Sequence, residues 1–311
     1  MLERIKKCPM RGRVKQKYNK VFVFAAGLRL IVEGEATCRW TEGGGRRTTN
    51  FAGEQKYLNS VTYLFGSKDG ENSEVPVGIH VYHFVCQLPS VIPYSIEGQY
   101  GHIRYKVDVN LDIPWAFDLH EEKPFTVARF DDLKLFPELE LPIEMEEIKV
   151  FCCCWCKSDP LIIKVRLPKT GFGLGEKIPV NVEIINRSSK DVLETTFAIK
   201  RVDKFNSTSP EKQRELKEKV AYTTARGAKV GETVSFVEHI EVPLILMASN
   251  SRYCEIFQIS YELKFSAETE GMTVSPEIHI PITIGTVGFD AGHHATSFIR
   301  SIMPSSLREF E

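Results

Sequence analysis

From Ile103 to Ile113 apolar and polar side chains alternate over eleven consecutive positions. A period of two places alternate side chains on opposite faces of an extended chain, which defines a half-buried antiparallel strand. The same period recurs along the chain. Leu28, Leu30 and Val32 alternate with Arg29, Ile31 and Glu33, and Val77, Ile79, Val81, His83 and Val85 alternate with Gly78, His80, Tyr82 and Phe84. Further runs lie at Leu161 to Leu167, Ile178 to Ile185, Phe197 to Val202, Val234 to Val242, Ile256 to Phe265 and Ile278 to Ile284. Turn clusters such as Gly43-Gly44-Gly45, Glu97-Gly98-Gln99 and Asn186-Arg187-Ser188 separate them at the spacing of a β-sandwich. Helical periodicity is nearly absent. Ser209 to Val220 could begin a helix, with Ser209 as cap and Pro210 in the first turn, or could equally extend a strand. Strands do not alternate with helices, which argues against Rossmann and barrel folds.

The chain has 311 residues, which suits two domains of roughly 150 residues each. Pro137 to Glu147 is acidic and bracketed by prolines, and reads as a linker followed by a strand over 148–157. The expected layout is a domain at 1–143, a second at 144–288, and a short tail at 289–311. Hydrophobic residues are 42% and charged residues 26%, too apolar for global disorder. A net charge of −1 argues against a nucleic-acid binder, which needs a basic excess. No apolar run approaches the length of a membrane span. The first twenty residues are polar and basic, unlike a secretory leader. An intracellular chain with reduced cysteines is therefore expected.

Few residues suggest bond chemistry. Cys153 and Cys156 have the spacing of half a zinc site, but no second such pair occurs. The more ordinary reading of Cys152 to Cys156 is a buried strand of small thiols. Gly171, Gly173 and Gly175 precede Glu176-Lys177, which fails the spacing of a phosphate loop and reads as a hairpin turn. Asp131-Asp132, Glu121-Glu122 and His293-His294 read as ordinary surface and tail residues. No cofactor, metal or catalytic residue is assigned. Residues 196–230 carry nine cations against four acids. Lys200, Arg201, Lys212, Arg214, Lys217 and Lys219 are thus candidates to bind an anionic membrane or an acidic or phosphorylated tail. The alternative is a solvated hairpin of mixed charge.

Several ordered motifs resemble the α-arrestins, the arrestin-domain-containing proteins. Gly27 to Ala36, followed by Trp40, resembles the family's early strand. Phe84 to Pro89 resembles its F-x-F-x-L-P stretch, and Ile92 to Tyr105 is close to L-P-x-S-F-E-G-x-x-G-x-I-R-Y. Pro114-Trp115 fits as well. Lys169 to Glu176 resembles the turn K-x-G-Y/F-x-x-G-E, and Ile280 to Val287 is similar to L-P-L-V-I-G-T-I. The resemblance covers about residues 10 to 288.

The resemblance implies an all-β fold of two arrestin-like, immunoglobulin-like antiparallel β-sandwich domains in tandem. It implies a non-catalytic cytoplasmic adaptor, recruited to plasma membrane and endosomes. Such an adaptor would bring ubiquitin ligases to the cytoplasmic tails of receptors or transporters. Two departures qualify this. Arg11 to Val14 resembles the end of the family's lead-in, so the first strand of the N-terminal domain is expected to be missing. No Pro-Pro-x-Tyr motif occurs in the chain, so ligase recruitment would be indirect. A retromer-like or structural scaffold subunit without a ligase link is the alternative.

Overall fold

Among the described residues the alternating runs resolve into eighteen strands. The computed structural model describes residues 8–44, 47–67, 73–89, 91–113, 119–129, 131–153, 156–157, 159–271 and 274–289. The first half contains β1 (Cys8–Ala25), β2 (Gly27–Gly44), β3 (Arg47–Gly66), β4 (Ser73–Leu88), β5 (Ile96–Glu97), β6 (Gly101–Asp112) and β7 (Leu119–Phe125). After two 3-10 turns at Leu133–Leu135 and Pro137–Glu140 come β8 (Ile143–Lys149), β9 (Cys152–Cys153), β10 (Cys156–Lys157), β11 (Leu161–Leu167) and β12 (Gly171–Gly173). The chain continues through β13 (Lys177–Asn186), β14 (Val192–Thr208), β15 (Glu211–Ala228), β16 (Thr233–Glu241), β17 (Phe257–Thr269) and β18 (Glu277–Gly285).

In the first half a sheet ordered β3-β2-β6-β5, with β7 also on β6, faces the two-stranded ribbon β1-β4. In the second half the sheet β16-β13-β11-β8 faces β12-β18-β17-β14-β15. Every pairing is antiparallel except the short parallel contact of β12 with β18. Period two decides what is buried. Leu161, Ile163, Val165 and Leu167 on β11, and Ile178, Val180, Val182 and Ile184 on β13, all point into the core. The buried apolar residues of both halves form one connected cluster.

Two readings of the sequence change here, and one left open is decided. Residues 143–149 form β8, so the acidic stretch is partly strand and not all linker. Its signal was present, because Ile143 and Met145 are half-buried and alternate with exposed Glu144 and Glu146. Pairing to β11 turns this into a sheet edge, and its charges discourage edge-to-edge association. Residues 211–220 continue as strand β15, the second of the two readings left open for them. The glycines at 171–175 do not close a hairpin. Gly175, at φ +75°, turns the chain from β12 in one sheet to β13 in the other.

The strand over 77–85 also shows something its alternation did not reveal. Val75 is buried, whereas Val77, Ile79, Val81 and Val85 are exposed, and Tyr82, Phe84 and Leu88 pack toward the core. Residues two apart normally share a face. An irregularity in the β1–β4 register between Tyr18 and Phe22, opposite Pro76 to Gly78, breaks that rule. Gly78 adopts φ +143°, a conformation that L side chains rarely adopt.

Asn186, in one of the turn clusters, is fully buried. Its amide donates to the Lys190 and Ala228 carbonyls at 2.9 and 3.0 Å, and its oxygen accepts from Ser188. Asn186-Arg187-Ser188 also matches the sequence pattern for glycosylation at asparagine, and here the asparagine nitrogen is held inside the fold.

Candidate functional site at the domain junction

The long β14–β15 hairpin carries the basic run, and its tip reaches the N-terminal half. Ala52 on β3 and Ser209 at the tip exchange backbone hydrogen bonds of 3.1 and 3.0 Å. Lys212 forms an ion pair with Glu42 on β2 and lies 5.1 Å from the centre of the Phe51 ring. Hydrogen bonding from Lys212, and then from Trp40, holds the Glu42 carboxyl below its ordinary value. The Arg214 guanidinium stacks 4.1 Å over Tyr100. Beneath it Tyr100 meets Phe205 edge-on at 5.7 Å, and Phe205 stacks on Phe257 at 4.5 Å.

Strand pairing divides the six candidate cations. Arg201, Lys212 and Arg214 share the face of the hairpin that carries buried Phe205 and meets the N-terminal half. Lys200, Lys217 and Lys219 lie on the opposite face. Arg201 makes a two-pronged ion pair with Asp203 at 2.6 and 2.8 Å, and Lys217 lies 3.5 Å from Glu262. Lys219 sits over the Tyr222 ring at 4.2 Å. The six residues do not form one common basic face.

Between the hairpin and the turn at 97–99 lies a cleft of about 530 Å³, lined by Glu97, Gly98, Arg201, Asp203, Lys217 and Glu218 among others. Both halves build its walls. Gly98 is required for the closeness, because a Cβ there would come within 2.5 Å of the Phe257 ring. We expect Gly98→Val to destabilise the fold by about 2 kcal/mol through overpacking. A urea midpoint unchanged from wild type would contradict that contact.

Further contacts lock the junction. Tyr94, in the N-terminal half, donates its hydroxyl to the Ala248 carbonyl. Burial pushes that hydroxyl's pKa well above the ordinary tyrosine range. Tyr94→Phe leaves the carbonyl unpaired, and a loss of about 1–2 kcal/mol in denaturant unfolding is expected. Arg129 bonds Asp131 at 2.8 Å, reaches the Ile92 carbonyl at 3.3 Å, and stacks 3.5 Å over Tyr253. The backbone of Asp131 in turn bonds Thr286 and Val287 beyond β18.

Asp108, His120 and Glu122 offer ligand atoms within 4.8 Å of one another. Lys106, 2.9 Å from Glu122, already supplies a cation there. Burial pushes the Cys38 thiol up to about 11, away from the reactive thiolate. Cys86 and Cys254 are also buried and free. The side chains of Cys152 to Cys156, and residues 290–311 with His293 and His294, lie outside the described residues. Among the described residues no helix is long and apolar enough to cross a membrane.

Two antiparallel sandwiches, joined by a strip of polar and aromatic contacts, define a two-domain all-β architecture. Comparison with known proteins identifies which kind. Residues 9–134 match the family model "Arrestin (or S-antigen), N-terminal domain", and residues 157–289 match "Arrestin (or S-antigen), C-terminal domain". Similar proteins include Arrestin domain-containing protein 17 of Caenorhabditis elegans, 27% identical over 83% of this chain and 62% of the relative. Arrestin domain-containing protein 4 of Mus musculus is 26% identical over 88% of this chain and 67% of its own length. Arrestin domain-containing protein 1 of Mus musculus is 24% identical over 75% of this chain and 51% of its own length. The chain thus spans between half and two thirds of these relatives. It belongs to the arrestin family, among the arrestin-domain-containing proteins or α-arrestins, a family of adaptors.

Proposed function

We propose that this chain is a cytosolic adaptor in membrane-protein trafficking, recruited to plasma membrane and endosomes. It binds cytoplasmic tails of receptors or transporters and links them, indirectly, to ubiquitin ligases. The observation that carries the reading is the presence of both arrestin halves, in order, with one connected apolar core. A platform of this kind recognises partners by surface and not by bond chemistry.

Two features suit an extended tail. The cleft between the 97–99 turn and the β14–β15 hairpin is open and carries both signs of charge. Among the described residues, edge β16 is hydrogen-bonded on one side only, and such an edge accepts an added strand. Within this reading Arg201 and Lys217 present the cleft's cations. Lys200 and Lys219 extend the hairpin face that carries Lys217, while Lys212 and Arg214 hold the domains together.

A panel of fluorescent tail peptides, titrated against the whole chain, tests the reading. Saturable binding by a subset, weakened about tenfold by Lys217→Glu, is expected. No saturable binding by any tail, or binding indifferent to the substitution, would count against tail capture in this cleft.

A further inference from the structure

The ribbon β1-β4 turns two parallel rows of side chains outward. On β1 the row is Arg11, Arg13, Lys15 and Lys17, all exposed. The register pairs Arg11 with Val85, Arg13 with His83, Lys15 with Val81 and Lys17 with Ile79. Partners across an antiparallel pair point to the same side. The second row is therefore Ile79, Val81, His83 and Val85, its three aliphatic side chains between 48% and 60% exposed, and Val77, itself exposed, lies just beyond it in the register irregularity. Among the described residues none of the four cations has an ion-pair partner. By contrast, several cations of the β14–β15 hairpin are already engaged.

We propose that this face docks on an anionic lipid bilayer. Four unpaired cations in a line give a local positive field on a chain whose net charge is only −1. Attraction then belongs to this face and orients the molecule. The aliphatic row, interrupted at His83, is an apolar strip bordered on one side by charge, the composition expected of an interaction site. Alternate strand residues stand roughly 6.6 Å apart, so each row runs about 20 Å along the ribbon. A bilayer satisfies both rows at once, with headgroups against the cations and the interfacial zone against the valines and isoleucine. A phosphorylated peptide would answer the cations but leave the aliphatic row in water. The described clefts that suit a peptide lie elsewhere. The proposal is independent of the tail-binding cleft, and vesicle binding would stand if no tail bound.

The test is flotation of the whole chain with vesicles of phosphatidylcholine alone or with about one third phosphatidylserine, at low salt and at about 0.15 M. Binding only to the anionic vesicles, reduced by salt, is expected. Joint reversal by Arg11→Glu, Arg13→Glu, Lys15→Glu and Lys17→Glu should weaken it at least about tenfold. Val77→Ser with Val81→Ser should weaken it at both salt concentrations, whereas Lys217→Glu with Lys219→Glu should not. A single Val81→Trp variant gives a readout that keeps the native charges. Its emission should shift blue on anionic vesicles and be quenched by brominated lipid. No flotation, flotation indifferent to both sets of changes, or an unshifted Val81→Trp spectrum would overturn the proposal. Capture of a phosphorylated peptide by this face without vesicle binding would overturn it in favour of a peptide site.

Discussion

Replacing Phe257 with alanine is expected to cost about 3–5 kcal/mol, the range for removing a buried aromatic ring. The ring is fully buried and stacks on Phe205 at an interplanar angle of 20°. Gly98 approaches the ring edge so closely that a Cβ there would come within 2.5 Å of it. The cavity left by the substitution therefore opens at the junction of the two sandwiches. Its effect should register on both, seen as lost hydrogen-exchange protection in β2 and β6 as well as β14 and β17. Phe265 provides the comparison, because it packs against Phe197 at 5.2 Å within the second sandwich. Phe265→Ala should destabilise β14 and β17 and leave β2 largely protected. A Phe257→Ala loss under about 1 kcal/mol, or one confined to the second sandwich, would mean the domains do not share a core.

Arg129→Ala is expected to cost about 3 kcal/mol near neutral pH, because it strands a buried carboxylate. Asp131 is buried, and one of its oxygens already lacks a partner. Burial pushes the Asp131 carboxyl above its ordinary value, with Arg129 and Tyr253 opposing that rise. An acid whose folded pKa is raised binds its proton more tightly when folded. Its charged form therefore costs stability above the folded pKa, and the cost disappears as pH falls toward the unfolded value. Removing Arg129 raises that pKa further and enlarges the penalty at neutral pH. The gap between wild type and Arg129→Ala should narrow as pH drops from about 7 to about 4. Asp131→Asn in the Arg129→Ala background should recover part of the loss. A gap independent of pH would assign the effect to the lost stacking on Tyr253 alone.

The all-β character was legible because alternation is a local signal. Leu161 to Leu167 and Ile178 to Ile185 are buried on the faces their pattern indicates. The orientation of β4 was not legible. Both of its alternating sets contain large apolar residues, and only the register change opposite Gly78 decides which set meets the core. Charge counting found the basic run at 196–230 but not its division, because opposite faces of a hairpin interleave in sequence. The junction was largely hidden. Tyr94 meets Ala248, and Asp131 meets Thr286, across 154 and 155 residues of chain. Neither pair leaves a local pattern. The resemblance to α-arrestins reached the fold and the family through ordered motifs, which record that long-range architecture indirectly.

The most direct test of the adaptor account is proximity labelling by this chain in intact cells. The account predicts enrichment of integral membrane receptors or transporters together with ubiquitin ligases. Labelling of a fixed set of coat subunits, with neither membrane cargo nor ligases, would contradict it and identify a structural scaffold.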